Sequence, residues 1–521
     1  MKSLVCIVAA LAMILIGPSA QAKVSRLEIT SKQAYGSFRA GEYARWDGRI
    51  AGELAPTEAT IPDLEKATRD ANGKVRYVAR VSLFFPVDPA TGNGALLVEV
   101  PNRGKPLANV IYNSPRGFPL PIGSAEPGTG FLYDHGYAVA EVYWELGQGA
   151  DLPSFTDPEG KKRFVEGVGF AIVRDAAEFL AHAAADSAGT QNPLAGKINR
   201  VLGAGKSQDG RFLKTFLLNG FNIVDGRRVF DGMHVLVSGA MLLPILRSGV
   251  GPGSSAEGIP TFADPEFSGV LDDVLTIGEI VAKVEARGEV PPKMILINST
   301  VDYLTIRASL GRTGATGTTD LPMPSNVRMY DVAGAAHVNV AKIDSCCLAP
   351  GRLDWAPMVR ATLQHLDRRV AMNAAPPASS LMPLQSANDD PTVLRAPKNL
   401  PGAIIQVPRR DADGNALGGV RMPDIVVPLG VHGAQNEPLT PICSLVGAYL
   451  PFAATKDAAT GRQPSVRDRY KDQSDYVNRV RVAAREAEAA GFLLPEDAAV
   501  IVNAAAETRI FDQTMPVAPS R

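Results

Sequence analysis

Apolar and polar positions change rhythm several times along the chain, and each change marks a set of elements. Within residues 23–100, VSRLEIT, YVARVSLFFPV and ALLVEVP are runs rich in β-branched residues, and the turn cluster DPATGNG separates the last two. That pattern predicts a β-rich N-terminal region. VIYNS and the YAVAEVYW run at 137–144 are short, mainly apolar stretches that read as buried strands. From 164 to 185 the spacing becomes helical in FVEGVGFAIVRDAAEFLAHAAA. There follow a short strand INRVLGAG, a sharp turn KSQDG and a helical RFLKTFLLNGF; VFDGMHVLVSGAML, KMILINS and NVRMYDVAG add three further strands. Strands alternating with helices predict an α/β fold, a mostly parallel central sheet flanked by helices on both faces.

Two stretches break the alternation. Residues 243–290 are rich in Gly, Pro and Ser and end in the helical VLTIGEIVAKVEARG, which predicts a cap insertion over the site. Residues 373–440 are rich in Pro and turn residues and predict a segment wrapping the core. Residues 465–508 are helical in character, so 373–521 forms a wrapping and helical C-terminal extension. DADGN (411–415) does not keep the spacing of a calcium loop and is read as a hairpin turn.

The first 22 residues belong to a different pattern. Lys2 stands ahead of the apolar run LVCIVAALAMILIG, and Ala20-Gln21-Ala22 has the small-x-small form of a signal-peptidase site. The run is short for a membrane span, so a cleaved signal peptide over 1–22 and a periplasmic or secreted mature chain (23–521) are expected. No later stretch is long and apolar enough to add a span. Three cysteines then remain, Cys346, Cys347 and Cys443. One disulfide is expected in an oxidising compartment, between Cys443 and either neighbour or within the adjacent pair. No His or further Cys stands near them at metal-ligand spacing. A formal net charge of -1 and a pI of 6.6 give no electrostatic reason to expect nucleic acid as a partner.

The chemistry concentrates in VLGAGKSQDGRFL. A strand delivers the chain into Gly205-Lys206-Ser207-Gln208-Asp209-Gly210 and a helix leaves it, which lifts the Ser207 hydroxyl clear of the sheet near a helix N-terminus. Such an elbow usually has glycine two residues after the nucleophile; here Asp209 stands there and Gly210 follows. A nucleophilic serine needs a base. His337 lies in a small-residue loop beyond a late strand, whereas His234 sits within a strand-like run and is read as a structural imidazole. Asp302, just after KMILINS, is the acid expected to orient His337, giving the chain order Ser, Asp, His. Asp331 and Asp320 are weaker alternatives.

Two backbone donors are expected to hold the oxyanion: the N–H of Gln208, and one near Gly104 in the loop VPNRGK. Asn102, Arg103, Tyr143 and Trp144 are expected to line the substrate pocket.

With these residues in place the chain resembles a bacterial family, the alpha/beta hydrolase domain-containing proteins, which are large exported enzymes. The resemblance runs along nearly the whole mature chain, through VEVPNRG (98–104), GFAIVRDAAEFL (169–180), GKSQDGRFL (205–213), VFDGMHV (229–235), INSTVDY (297–303), GAAHV (334–338), RATLQHLDRRV (360–370), PPASSLMP (376–383), DADGNALGGVRMPDIVVPLG (411–430) and GAYLPFA (447–453). It implies an α/β-hydrolase fold with Ser207 as nucleophile and His337 as base. It also implies a carboxylate where Asp302 stands, although the family commonly has Glu there. After its Pro-Leu-Gly the family often has Gly-Trp; this chain has VHGAQN, which leaves its substrate preference free to differ.

The expected activity is carboxylic-ester hydrolysis through an acyl-enzyme on a small-molecule ester, with no organic cofactor and no metal. Acyl transfer with the same triad, or non-catalytic ligand binding on the same fold, are the alternatives.

Overall fold

The computed structural model describes residues 23–117, 119–243, 275–314, 317–340, 342–390, 393, 404–456 and 464–511. The expected signal peptide and most of the expected cap therefore lie outside the described residues.

Among the described residues, ten strands form one sheet: β1 (Val24–Phe38), β2 (Gly41–Leu54), β3 (Val75–Pro86), β4 (Ala95–Glu99), β5 (Ala138–Val142), β6 (Ala150–Asp151), β7 (Arg200–Lys206), β8 (Gly232–Leu236), β9 (Lys293–Ser299) and β10 (Val327–Val332). Their order is β1-β2-β3-β5-β4-β7-β8-β9-β10, with β6 added to β3. Of the β-rich N-terminal region, β1 to β3 form an antiparallel wing of the main sheet, while β4 joins its parallel part. From β5 to β10 every pairing is parallel.

The parallel strands alternate between two cores. In β9, Met294 and Leu296 join one apolar cluster, and Ile295 and Ile297 join the other. This two-sided burial is why KMILI reads as a continuous apolar run. The first cluster is covered by α2 (Val168–His182), α3 (Gln208–Leu218) and α4 (Ile277–Ala286), the second by α1 (Ala108–Tyr112) and α6 (Ala356–Met372). Between them in sequence, the short α5 (Thr300–Thr305) follows β9 directly.

Two expectations need correction. Within VIYNS the chain is helical, not extended: Ile111 and Tyr112 are buried in the one-turn α1 beneath α6. A stretch this short carries too little periodicity to distinguish the two. The end of the stretch assigned to a cap, α4, instead belongs to the layer covering the sheet. It opens with a Thr276–Glu279 capping box and buries Ile277, Ile280, Val281 and Val284 along one face, against α3. Residues 244–274 lie outside the described residues.

The C-terminal extension returns along the far edge of the sheet. Ser380 bridges Tyr330 and Val420 bridges Val332. A hairpin of β11 (Gly430–Ala434) and β12 (Ala448–Pro451) encloses α7 (Pro441–Val446). Then α8 (Gln473–Ala489) and α9 (Pro495–Glu507) pack Val480, Ala484, Ile501 and Ala505 onto the second core. DADGN is a turn: Asp411 Oδ1 accepts from the N–H groups of Asp413 and Asn415, and Arg410 bridges Ala416. One disulfide joins Cys346 to Cys443, and Cys347 is an exposed thiol.

Candidate active site

The sheet order creates the site. From β4 the chain moves to β5 on one side, then crosses to β7 on the other side of β4. Connections leaving β4 and β7 therefore diverge and open a crevice at the strands' carboxyl ends. Ser207 follows β7 at that crevice, and Asn102–Lys105 follows β4.

Ser207 has φ 62° and ψ −114°, an unusual conformation for a residue with a side chain and a store of strain at this turn. Its N–H donates to the Leu236 carbonyl at 2.8 Å, which fixes the elbow to β8. The glycines either side are required. A Cβ on Gly205 would meet the Asp209 backbone at 2.5 Å, and one on Gly210 would meet Ser238 Cβ at 3.0 Å. The close approach to β8 thus falls at position 210, which allows Asp209 to stand where glycine is usual.

Ser207 Oγ lies 2.9 Å from His337 Nε2, and His337 Nδ1 lies 2.7 Å from Asp302 Oδ1. Asp302 is the third residue of α5. Its Oδ2 accepts from the Ser299 N–H at 2.6 Å, and its own N–H donates to Ser299 Oγ, a capping box that locks the carboxylate in place. His337 and Asp302 are buried, and Ser207 is half-buried. The other carboxylates are engaged elsewhere. Asp331 accepts from Tyr303 Oη at 2.8 Å, Arg312 Nη1 at 2.7 Å and the Met382 N–H at 2.9 Å, while Asp320 pairs with Arg312 from the surface. His234 is a buried imidazole between Tyr112 Oη (2.8 Å) and Thr362 Oγ1 (3.2 Å), and burial pulls its pKa down to about 3.

The loop after β4 is a tight turn. Asn102 and Lys105 exchange backbone hydrogen bonds of 3.0 Å, and Arg103 and Gly104 between them have φ of 50° and 71°. Asn102 Nδ2 donates to the Lys206 carbonyl at 3.1 Å, tying this turn to the elbow. Gln208, at the start of α3, is buried, and its backbone N–H bonds to no acceptor among the described residues.

Trp144 and Tyr143, both expected in the pocket wall, are buried. Trp144 packs against Phe170 and Phe212 in the first core and donates from Nε1 to the Pro101 carbonyl at 3.2 Å. It braces the 102–105 turn from inside. Tyr143 is buried, with the Arg80 guanidinium 4.4 Å from its ring centre. Their run ends at the site in sequence, but the Trp144 ring is drawn into the sheet–helix interface.

Asp209 at the elbow stands near two acids that sequence reading passed over, Glu99 from β4 and Glu145 after β5. Burial pushes the Glu99 carboxyl up to about 7. Asp209 is pushed well above the usual carboxylate range, first by burial and then by the charge of Glu99, with Arg103 opposing. Lys206 and Trp355 were likewise passed over. Lys206 Nζ lies 5.2 Å from the Trp355 ring centre, and burial lowers the Lys206 pKa to about 8.

The chain is similar at low identity to several solved structures. Among solved structures, a glucuronoyl esterase from Solibacter usitatus is 14% identical with a TM-score of 0.30, covering 60% of this chain and 82% of its own. A putative acetyl xylan esterase from Bacteroides fragilis is 12% identical with a TM-score of 0.27, covering 59% and 71%. An S-formylglutathione hydrolase from Staphylococcus aureus is 11% identical with a TM-score of 0.24, covering 49% and 80%. No curated protein matches the chain. The family model described as "Alpha/beta hydrolase domain" matches residues 132–503, and by that match the chain belongs to the alpha/beta hydrolase family.

Proposed function

We propose that this chain is an exported serine esterase that cleaves carboxylic esters through an acyl-enzyme on Ser207. The observation that carries the reading is the unbroken Ser207–His337–Asp302 relay, with contacts of 2.9 and 2.7 Å. His337 Nε2 takes the hydroxyl proton as Ser207 Oγ attacks the ester carbonyl, and Asp302 stabilises the imidazolium that forms. The oxyanion is met by the Gln208 N–H at the start of α3 and by a backbone donor of the Arg103–Gly104 turn. As the tetrahedral intermediate collapses, the ester C–O bond breaks and the alcohol leaves with the proton from His337. Water, deprotonated by the same imidazole, then attacks the acyl-enzyme and releases the acid and free Ser207. Export is supported by the Cys346–Cys443 disulfide, a bond favoured in oxidising compartments.

A fluorophosphonate probe tests the nucleophile. Folded wild type is expected to be labelled and to hydrolyse short aryl esters, and Ser207→Ala is expected to lose both. A folded wild type that takes no label would remove the hydrolase reading. Product analysis with an added acceptor alcohol separates hydrolysis from acyl transfer.

A further inference from the structure

Lys206 precedes the nucleophile. In β7, Leu202 and Ala204 point into the second core, and the two-residue repeat of a strand sends Lys206 to the same side at the strand's open end. There its ammonium faces the ring of Trp355, the residue that opens α6. Lys206, Ser207, Asn102, Arg103 and Gly104 are all half-buried, so the side chain stands at the rim of the crevice that exposes the nucleophile.

What the ammonium lacks is an anion. Among the described residues it forms no hydrogen bond and no ion pair. The charge that acts on it is Asp302, whose two carboxylate oxygens are taken by His337 Nδ1 and the Ser299 N–H. Lys214, also buried near the elbow, donates to the Gly239 carbonyl at 2.8 Å. Holding a poorly solvated cation without a counter-charge is costly, and an aromatic face offsets only part of that cost.

We propose that Lys206, seated on Trp355, binds a carboxylate carried by the substrate, so that the preferred substrates are esters bearing a second, ionised carboxyl group close to the scissile bond. The assignment rests on the serine-esterase reading above. It makes Lys206 a specificity-determining residue that contacts the substrate without joining the proton relay.

Matched esters test it. Methyl hydrogen succinate and methyl hydrogen glutarate each differ from their dimethyl esters by one ionised carboxylate. The readout is the ratio of kcat/KM for the anionic ester to that for the neutral ester, measured at pH 7 for wild type, Lys206→Gln and Lys206→Arg. Loss of a charge-assisted contact is expected to lower the ratio at least about tenfold in Lys206→Gln. Lys206→Arg, which keeps the positive charge, is expected to restore most of it. Because each ratio is internal to one protein, partial misfolding of a variant cancels. A ratio unchanged in Lys206→Gln, with both rates falling together or neither falling, overturns the proposal. Wild type that hydrolyses neither ester and takes no fluorophosphonate label would instead remove the esterase reading, and this assignment with it.

Discussion

At the scale of single residues, the site depends on side chains whose charge state is set by what surrounds them. Asp302 does two jobs with two oxygens, capping α5 and orienting His337. Asp302→Asn keeps a group that can accept from Ser299 but offers His337 Nδ1 a poorer acceptor and no negative charge. Turnover is expected to fall by about 10⁴-fold with little change in thermal stability; near-normal turnover would pass the role to another carboxylate. Glu99 behaves differently. Its folded pKa of about 7 lies above the value near 4.3 for an unfolded Glu. Between those values the folded state keeps a proton that the unfolded chain has released. Stability is therefore lost as pH rises through this window, by up to about 1.4 kcal/mol per pH unit. Glu99→Gln removes the titration, so its melting temperature relative to wild type should climb from pH 4.5 to pH 7. A constant difference across that range would show that Glu99 is ionised in the folded protein.

At the scale of elements, what could be read from sequence follows from how strongly each stretch repeats. The parallel strands and the fifteen residues of α2 carry long apolar patterns, and the structure has them where the pattern lies. β2 is different: GEYARWDGRIAGEL mixes charges and glycines, and it is a strand because β1 and β3 pair along its whole length. The VIYNS turn of helix and the packing of α4 were likewise decided by tertiary partners rather than by local pattern. For the site, the Ser207, His337 and Asp302 positions were legible because an elbow, a small-residue loop and an acid just after a late strand each leave a local trace. The inward rotation of Trp144, the Asn102 tether and the two acids near Asp209 were not, since each depends on contacts between distant segments. The elbow itself makes a strict prediction. In Gly205→Ala the new methyl would meet the Asp209 backbone at 2.5 Å. Only displacement of the start of α3 relieves that contact, and shifts near 1 Å cost about 10²-fold in rate. Fluorophosphonate labelling of Gly205→Ala should slow by at least that factor, and wild-type labelling would mean that the turn is less tightly built than these contacts require.

At the scale of the whole molecule, the triad spans a wide piece of the sheet. Ser207 leaves β7 and His337 follows β10, three strands away, or about 14 Å at the usual strand spacing. The histidine loop must reach back across the ends of β8 and β9, and residues from the C-terminal extension hold it there. The Leu445 carbonyl accepts from the N–H groups of His337 (3.0 Å) and Val338 (3.3 Å), and the Val446 carbonyl accepts from Gly351 (2.9 Å). Asn436 exchanges two hydrogen bonds of 3.0 Å with the Leu348 backbone, and the Cys346–Cys443 disulfide joins the same two segments. The extension thus holds the His337 loop in place, although it contributes no member of the triad. Cys443→Ser cuts the covalent link while leaving the hydrogen bonds able to form. Disulfides typically contribute about 2–4 kcal/mol, so the melting temperature should fall by several degrees. If the link also positions His337, kcat should fall more than KM changes, with the labelling rate of Ser207 falling in parallel, at temperatures where the variant remains folded. A variant that melts earlier but turns over and labels like wild type would confine the disulfide to stability and leave the placing of His337 to the Leu445 carbonyl.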